Sequence, residues 1–141
     1  MKILIAVDGS ELAMHAVEYA IKFVAESKQV PQLLLLNVQW NVAAGNVKLF
    51  INQDTINDYY REQGMDALQK ARTALEAAKL PYQYHISVGR PAEAIVQYAN
   101  EQSVDQIVIG ANGQESFTNM LLGSVTSKVA QLAKVPVTIA R

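Results

Sequence analysis

The chain contains no cysteine. Disulfides, thiolate metal sites and a cysteine nucleophile are therefore excluded. Histidine is scarce too: His15 and His85 are the only two, and no His, Asp and Glu cluster has metal-ligand spacing. Charge of one sign is lacking. Twelve Lys and Arg against 13 Asp and Glu leave a net charge of −1, so the overall field recruits neither nucleic acid nor an anionic membrane. No apolar run approaches the roughly 18 residues of a membrane span. The run at residues 3–7 is too short for the hydrophobic region of a secretory signal, and a soluble cytoplasmic protein is the expectation.

Several nucleotide and catalytic motifs are missing as well. There is no G-x-x-x-x-G-K-[ST] phosphate loop. The first apolar run is followed by Asp8-Gly-Ser-Glu11, with one glycine where a dinucleotide fingerprint needs three. A phospho-receiver needs clustered acids after the first strand and an aspartate after the third, and Val88-Gly89 supplies none. No G-x-S-x-G elbow occurs. His15 falls in a helical pattern and His85 in a strand pattern, which suits structural or surface roles.

What remains is a chain of 141 residues, half hydrophobic and 18% charged. That is enough for one domain, residues 1–141, with a sizeable core. Continuous apolar runs at 3–7 and 33–38 read as strands buried on both faces. Between them, Ala13, Val17, Ala20, Ile21 and Val24 recur at helical spacing, and the helix runs to Glu26 or Ser27. A long connection, 39–54, precedes a helix that starts at Asp54 or Thr55 and runs to Lys79. Gly64 is its weak point and Pro81 its stop. Residues 82–88 alternate like an edge strand. Gly89-Arg-Pro91 opens a third helix with Pro91 at its first position and Ala94, Ile95, Tyr98 and Ala99 inward. Arg90 reads as surface. A fourth strand spans 106–109. A helix over 124–134, with Val125, Val129 and Leu132 inward, leads to a last strand from Val135 to Ala140. Pro136 marks that strand as an edge or a strand start. Alternation of strand and helix argues a doubly wound α/β fold, a parallel sheet with helices on both faces.

Ligands of such sheets sit at the carboxyl ends of the strands, where the strand order reverses. The first and fourth strands are the expected neighbours there, which puts Asp8 and Gly110 in one crevice. Gly110, Gly113 and Gly123-Ser124 punctuate the stretch between the fourth strand and its helix. Glycines let backbone N–H groups turn toward an anion, and a helix N-terminus adds unpaired donors. The same stretch also reads as a surface loop closed by an N-cap serine. Asp8 likewise reads as a ligand contact or as the N-cap of the first helix. Trp40 either stacks on a base or packs under the long connection. Phe117, Met120, Leu121 and Leu122 either pack down or form a partner surface.

Three stretches resemble the universal stress protein family, and within it the nucleotide-binding branch. They are Ile3-Leu-Ile-Ala-Val-Asp-Gly-Ser-Glu11, Gly89-Arg-Pro-Ala-Glu-Ala-Ile95, and Gly110-x2-Gly113-x9-Gly123-Ser124, which fits the family's G-2x-G-9x-G-[ST] motif without a gap. Val135-Pro-Val-Thr-Ile139 continues the likeness. The resemblance implies a single five-stranded parallel sheet of order 3-2-1-4-5, adenine nucleotide alpha hydrolase-like. It implies ATP, or ADP or AMP, bound with Mg²⁺. Phosphates would meet Gly113, Gly123, Ser124 and Thr126, with Val125 in the same binding stretch. Ribose would meet Asp8 and Gly110, and adenine the backbone near Ala6 and Val38. It also implies a homodimer through the C-terminal edge strand, and regulation of an unknown protein partner. A slow ATPase or phosphotransferase, and a dimeric scaffold without nucleotide, are the rival readings. One departure stands out. Family members with this motif often carry basic residues between the second and third glycines, whereas residues 114–122 here hold Glu115 and no Lys or Arg. Lys128, downstream, is the nearest cation.

Overall fold

Apolar residues that point to opposite sides of each strand need a helical cover on both sides. The described residues provide four helices for five strands. The computed structural model describes residues 1–41, 52–112 and 122–141. In chain order the elements are β1 (Lys2–Ala6), α1 (Met14–Ala25), β2 (Gln32–Gln39), α2 (Gln53–Ala77), β3 (Tyr82–Val88), α3 (Pro91–Glu101), β4 (Gln106–Gly110), α4 (Ser124–Leu132) and β5 (Val137–Ala140). The strands form one parallel sheet of order β3-β2-β1-β4-β5, as the family resemblance implied. Among the described residues no helix is long and apolar enough to cross a membrane.

Strand alternation divides the core in two. Ile3, Ile5, Leu33, Leu35 and Val108 face α1 and α2 and pack with Val17 and Leu68. Leu4, Leu34, Leu36, Ile107 and Ile109 face the other way and pack with Ile95 and Val129 of α3 and α4. Central strands β1, β2 and β4 are therefore buried on both sides. Edge strand β3 leaves Tyr84 and Val88 exposed.

Helix ends follow local chemistry. Asn52 caps α2 by accepting from the Thr55 backbone N–H at 2.8 Å, so the helix begins earlier than Asp54. It also stops before Pro81. Lys79 adopts left-handed backbone (φ 58°), and the Leu80 N–H reaches back to the Leu75 carbonyl at 3.0 Å. Ser103 (φ 54°) ends α3 in the same way, with the Val104 N–H on the Ala99 carbonyl. Both closures satisfy carbonyls that a helix end otherwise leaves open.

Helix α1 begins at Met14, behind a turn that follows β1. Three sequence expectations are corrected. The inward face of α3 is Ala92, Ile95, Val96 and Ala99. Ala94 and Tyr98 are only half-buried, and the Tyr98 ring stacks on His85 with centroids 4.8 Å apart. Helix α4 ends at Leu132, whose side chain is exposed, while Thr126 takes the buried place beside Val129. Strand β5 begins at Val137, since the ladder to β4 starts with the Ile107–Val137 pair.

Candidate functional site

The β1–β4 junction lies where chain crossovers diverge: β1 continues through α1 to β2 on one side, and β4 through α4 to β5 on the other. The loops that leave the two strands must part there, and the gap is a crevice. It has a volume of about 900 Å³, within the roughly 300–1,000 Å³ of small-molecule sites. Ala6, Asp8, Val38, Gly110, Gly123, Ser124, Val125 and Thr126 all line it. Eight of the nine residues singled out from sequence are thus brought to one cavity. Gly113, the ninth, lies outside the described residues, as do Glu115, Phe117, Met120, Leu121 and most of the 39–54 connection.

The wall from β1 is built by a hydrogen-bonded turn. Asp8 Oδ1 accepts from the Ser10 N–H at 2.9 Å and from the Ser10 hydroxyl at 2.6 Å. Ser10 Oγ in turn accepts from the Ala13 N–H at 3.1 Å. Asp8 is therefore not the N-cap of α1; it organises the turn before it.

The facing wall is the start of α4. Its N-cap is Gly123, not Ser124, and no described side chain caps it. The Gly123 N–H donates to the Ala111 carbonyl at 2.8 Å, which ties the end of the glycine-spaced stretch to its beginning. Helix geometry leaves the N–H groups of Ser124, Val125 and Thr126 without an intrahelical acceptor. The Thr126 hydroxyl is spent elsewhere: it donates to the Gly110 carbonyl at 2.7 Å in a buried position. Thr126 thus pins the helix start to the end of β4 and offers the crevice its backbone N–H. Gly110 is required by a close approach. A Cβ there would sit 2.9 Å from the Leu12 carbonyl oxygen, so any side chain would push the α1 turn off the strand end.

The floor and far side were not read from the sequence. Asn37 and Gln39 of β2, Gln63 and Asp66 of α2, Pro91 and Ile95 of α3, and Asn112 also line the crevice. Asn37 had a signal, since it is the one polar residue interrupting the apolar run Leu33 to Val38. Residues of α2 had none, because only tertiary packing brings them to the strand ends. Trp40 lines the mouth with 58% of its surface exposed. Arg90 is exposed, as read.

Charge in the crevice is sparse. No Lys or Arg is among its described lining residues. Lys128 points instead to Glu93 of α3, with N···O 2.5 Å. That ammonium, with the Glu93 backbone N–H second, holds the Glu93 carboxyl below the usual carboxylate range. Among the described residues no three His, Cys, Asp or Glu side chains cluster as a metal site.

The universal stress protein family model matches residues 1–141. Universal stress protein YxiE of Bacillus subtilis is 28% identical over 145 residues, covering 99% of this chain and 98% of its own. Universal stress protein UspA from Lactobacillus plantarum superposes with a TM-score of 0.82 at 26% identity, over 100% of this chain and 97% of that one. The universal stress protein from Archaeoglobus fulgidus in complex with dAMP has the same fold (TM-score 0.71, 21% identity, 100% of this chain and 98% of that one).

Proposed function

The chain belongs to the universal stress protein family, and on that premise we propose that it is an adenine-nucleotide-binding regulatory module. One observation carries the reading: the uncapped start of α4 faces Asp8 across a crevice at the β1–β4 junction. Three backbone donors and the Ser124 hydroxyl form a cradle for phosphate, aided by the positive end of the helix dipole. Asp8 accepts from ribose hydroxyls, and the backbone at Ala6 and Val38 meets the adenine edge. The dAMP complex is a property of the Archaeoglobus fulgidus protein; here the support is the donor set itself.

ATP is the nucleotide proposed, with ADP and AMP fitting the same groups. Phosphate charge falls on N–H groups, a hydroxyl and Mg²⁺, because the described lining offers no cation. The carboxylates at hand are Asp8 and Asp66. They suit an ion carried in by the phosphates and not a metal site made by protein alone. Mg²⁺ would supply charge neutralisation. Affinity is accordingly modest, since charge-assisted contacts of about 1.5–3 kcal/mol each are missing. The module acts as a homodimer through the outer edge of β5 and passes nucleotide occupancy to a protein partner. No described side chain in the crevice is placed as a general base or an arginine finger, so the role is binding more than turnover.

Protein purified without added nucleotide is heat-denatured and the supernatant assayed for adenine nucleotide. The stripped protein is then titrated with ATP, with and without Mg²⁺. Binding strengthened by Mg²⁺ is expected. No binding at about millimolar ATP, roughly −4 kcal/mol, would overturn the reading.

A further inference from the structure

Asn37 is the one residue of β2 that buries an amide, with 2% of its surface exposed. A buried amide is costly unless its groups are paired. Its Nδ2 donates to the Val7 carbonyl at 2.9 Å, and its Oδ1 accepts from Gln39 Nε2 at 2.7 Å. The order of these bonds is fixed by chemistry. A backbone carbonyl only accepts, so the Asn37 NH₂ must face Val7. The Asn37 oxygen must then face Gln39, and Gln39 must answer with its NH₂. Asn37 and Gln39 are two apart on one strand and so share a face.

The consequence is a carboxamide that cannot turn over without breaking the relay. Gln39 is half-buried, lines the crevice, and has no described donor on its Oε1. We propose that Gln39, held in one orientation by Asn37 and the Val7 carbonyl, selects 6-aminopurines over 6-oxopurines. This rests on the adenine-nucleotide reading above and names its base-selecting group. Adenine presents an amino donor at position 6 beside a ring-nitrogen acceptor, a pattern that a Gln amide matches with its oxygen and N–H. Guanine and hypoxanthine carry an acceptor oxygen at position 6. A freely rotating Gln serves either base by flipping. The locked one sets oxygen against oxygen for a 6-oxo base, and a site built for a donor rejects the analogue lacking it. Gln39 is the contact residue, and Asn37 is a positioning residue.

The test compares ATP with ITP, whose base is the 6-oxopurine hypoxanthine. Both are titrated calorimetrically with Mg²⁺ into the native chain and into Gln39→Ala and Asn37→Ala. The native chain should prefer ATP by about tenfold or more, the effect of one mismatched, partly wet hydrogen bond. Gln39→Ala should lower that ratio clearly, leaving only what the backbone at Ala6 and Val38 reads. Asn37→Ala should do the same while ATP still binds, an outcome that a purely structural role would not produce. Gln39 is half-buried at a strand end, so its variant tests the idea even where Asn37→Ala fails to fold. A native ratio near one, or a ratio unchanged in Gln39→Ala, overturns the inference and leaves nucleotide binding standing. A ratio lost in Gln39→Ala but kept in Asn37→Ala overturns the lock. If neither nucleotide binds the native chain, the parent reading fails and this one with it.

Discussion

Ser124 shows how one side chain separates stability from function. From sequence it read as an N-cap and a phosphate contact together. The cap belongs to Gly123, and the Ser124 hydroxyl makes no capping bond. Ser124→Ala should therefore leave the urea midpoint almost unmoved, unlike loss of a true cap, which costs about 0.5–2 kcal/mol. ATP affinity measured by titration should fall about tenfold in the same variant, the loss of one hydrogen bond to a charged group. A lowered urea midpoint with unchanged affinity would reverse the assignment. Thr126 is the opposite case. Its position in the motif was legible, but its buried bond to the Gly110 carbonyl was not, because a hydroxyl's partner is chosen by the neighbouring strand.

Between elements, two contacts set how helices meet the sheet. Gly64 looked like a weak point in α2, and propensity alone favours Ala there by about 1 kcal/mol. Packing reverses the sign. A Cβ at Gly64 would lie 2.6 Å from Ile86 Cγ2 of β3, and Ile86 is branched at Cβ and has little room to yield. Gly64→Ala should destabilise the protein by about 1–3 kcal/mol in urea unfolding. The pair Gly64→Ala with Ile86→Ala should cost less than the sum of the single changes, by about 1 kcal/mol or more. Simple additivity would show that the two do not meet. The second contact, Glu93 with Lys128, ties α3 to α4 at the crevice wall. The Glu93 carboxyl titrates below its unfolded value because of Lys128. Its contribution is therefore present above the ordinary carboxylate range and lost as pH falls through the lowered value. The pair is exposed, so the effect is small. Glu93→Gln should lower the melting midpoint slightly at neutral pH, and the difference from the native chain should vanish in acid. A difference that grows in acid would contradict the ion pair.

Over the whole molecule, the sheet ends in β5, whose outer edge has no described strand beside it. The Pro136 and Ala140 carbonyls accept from Ile107 and Ala111 of the β4 side. In a parallel ladder, alternate residues then turn their N–H groups outward, at Val137 and Ile139. These are the donors that the proposed two-fold dimer uses. Val137→Pro removes one of them at the first strand position, where proline is tolerated. Two bonds vanish across the symmetry axis, so sedimentation should show dimer dissociation raised at least about tenfold. Unchanged circular dichroism is expected alongside. A dimer of unchanged strength would place the interface elsewhere.

The sequence by itself determined the element order and type, the parallel sheet and the meeting of Asp8 with Gly110. Runs such as Leu33 to Val38 fit only a strand covered on both faces, and right-handed crossovers leave few topologies for alternating strands and helices. The glycine spacing marked the α4 wall as well. Tertiary structure alone decided which polar groups are spent and which are offered. Asp8 builds a turn, Thr126 pins Gly110, Lys128 turns to Glu93, and Asn37 orients Gln39. Each of these outcomes depends on a partner from a distant part of the chain or from the fold of a turn. A hydrogen bond is directional to within tens of degrees and a few tenths of an ångström, whereas the apolar periodicity that specifies an element requires only that a face be covered.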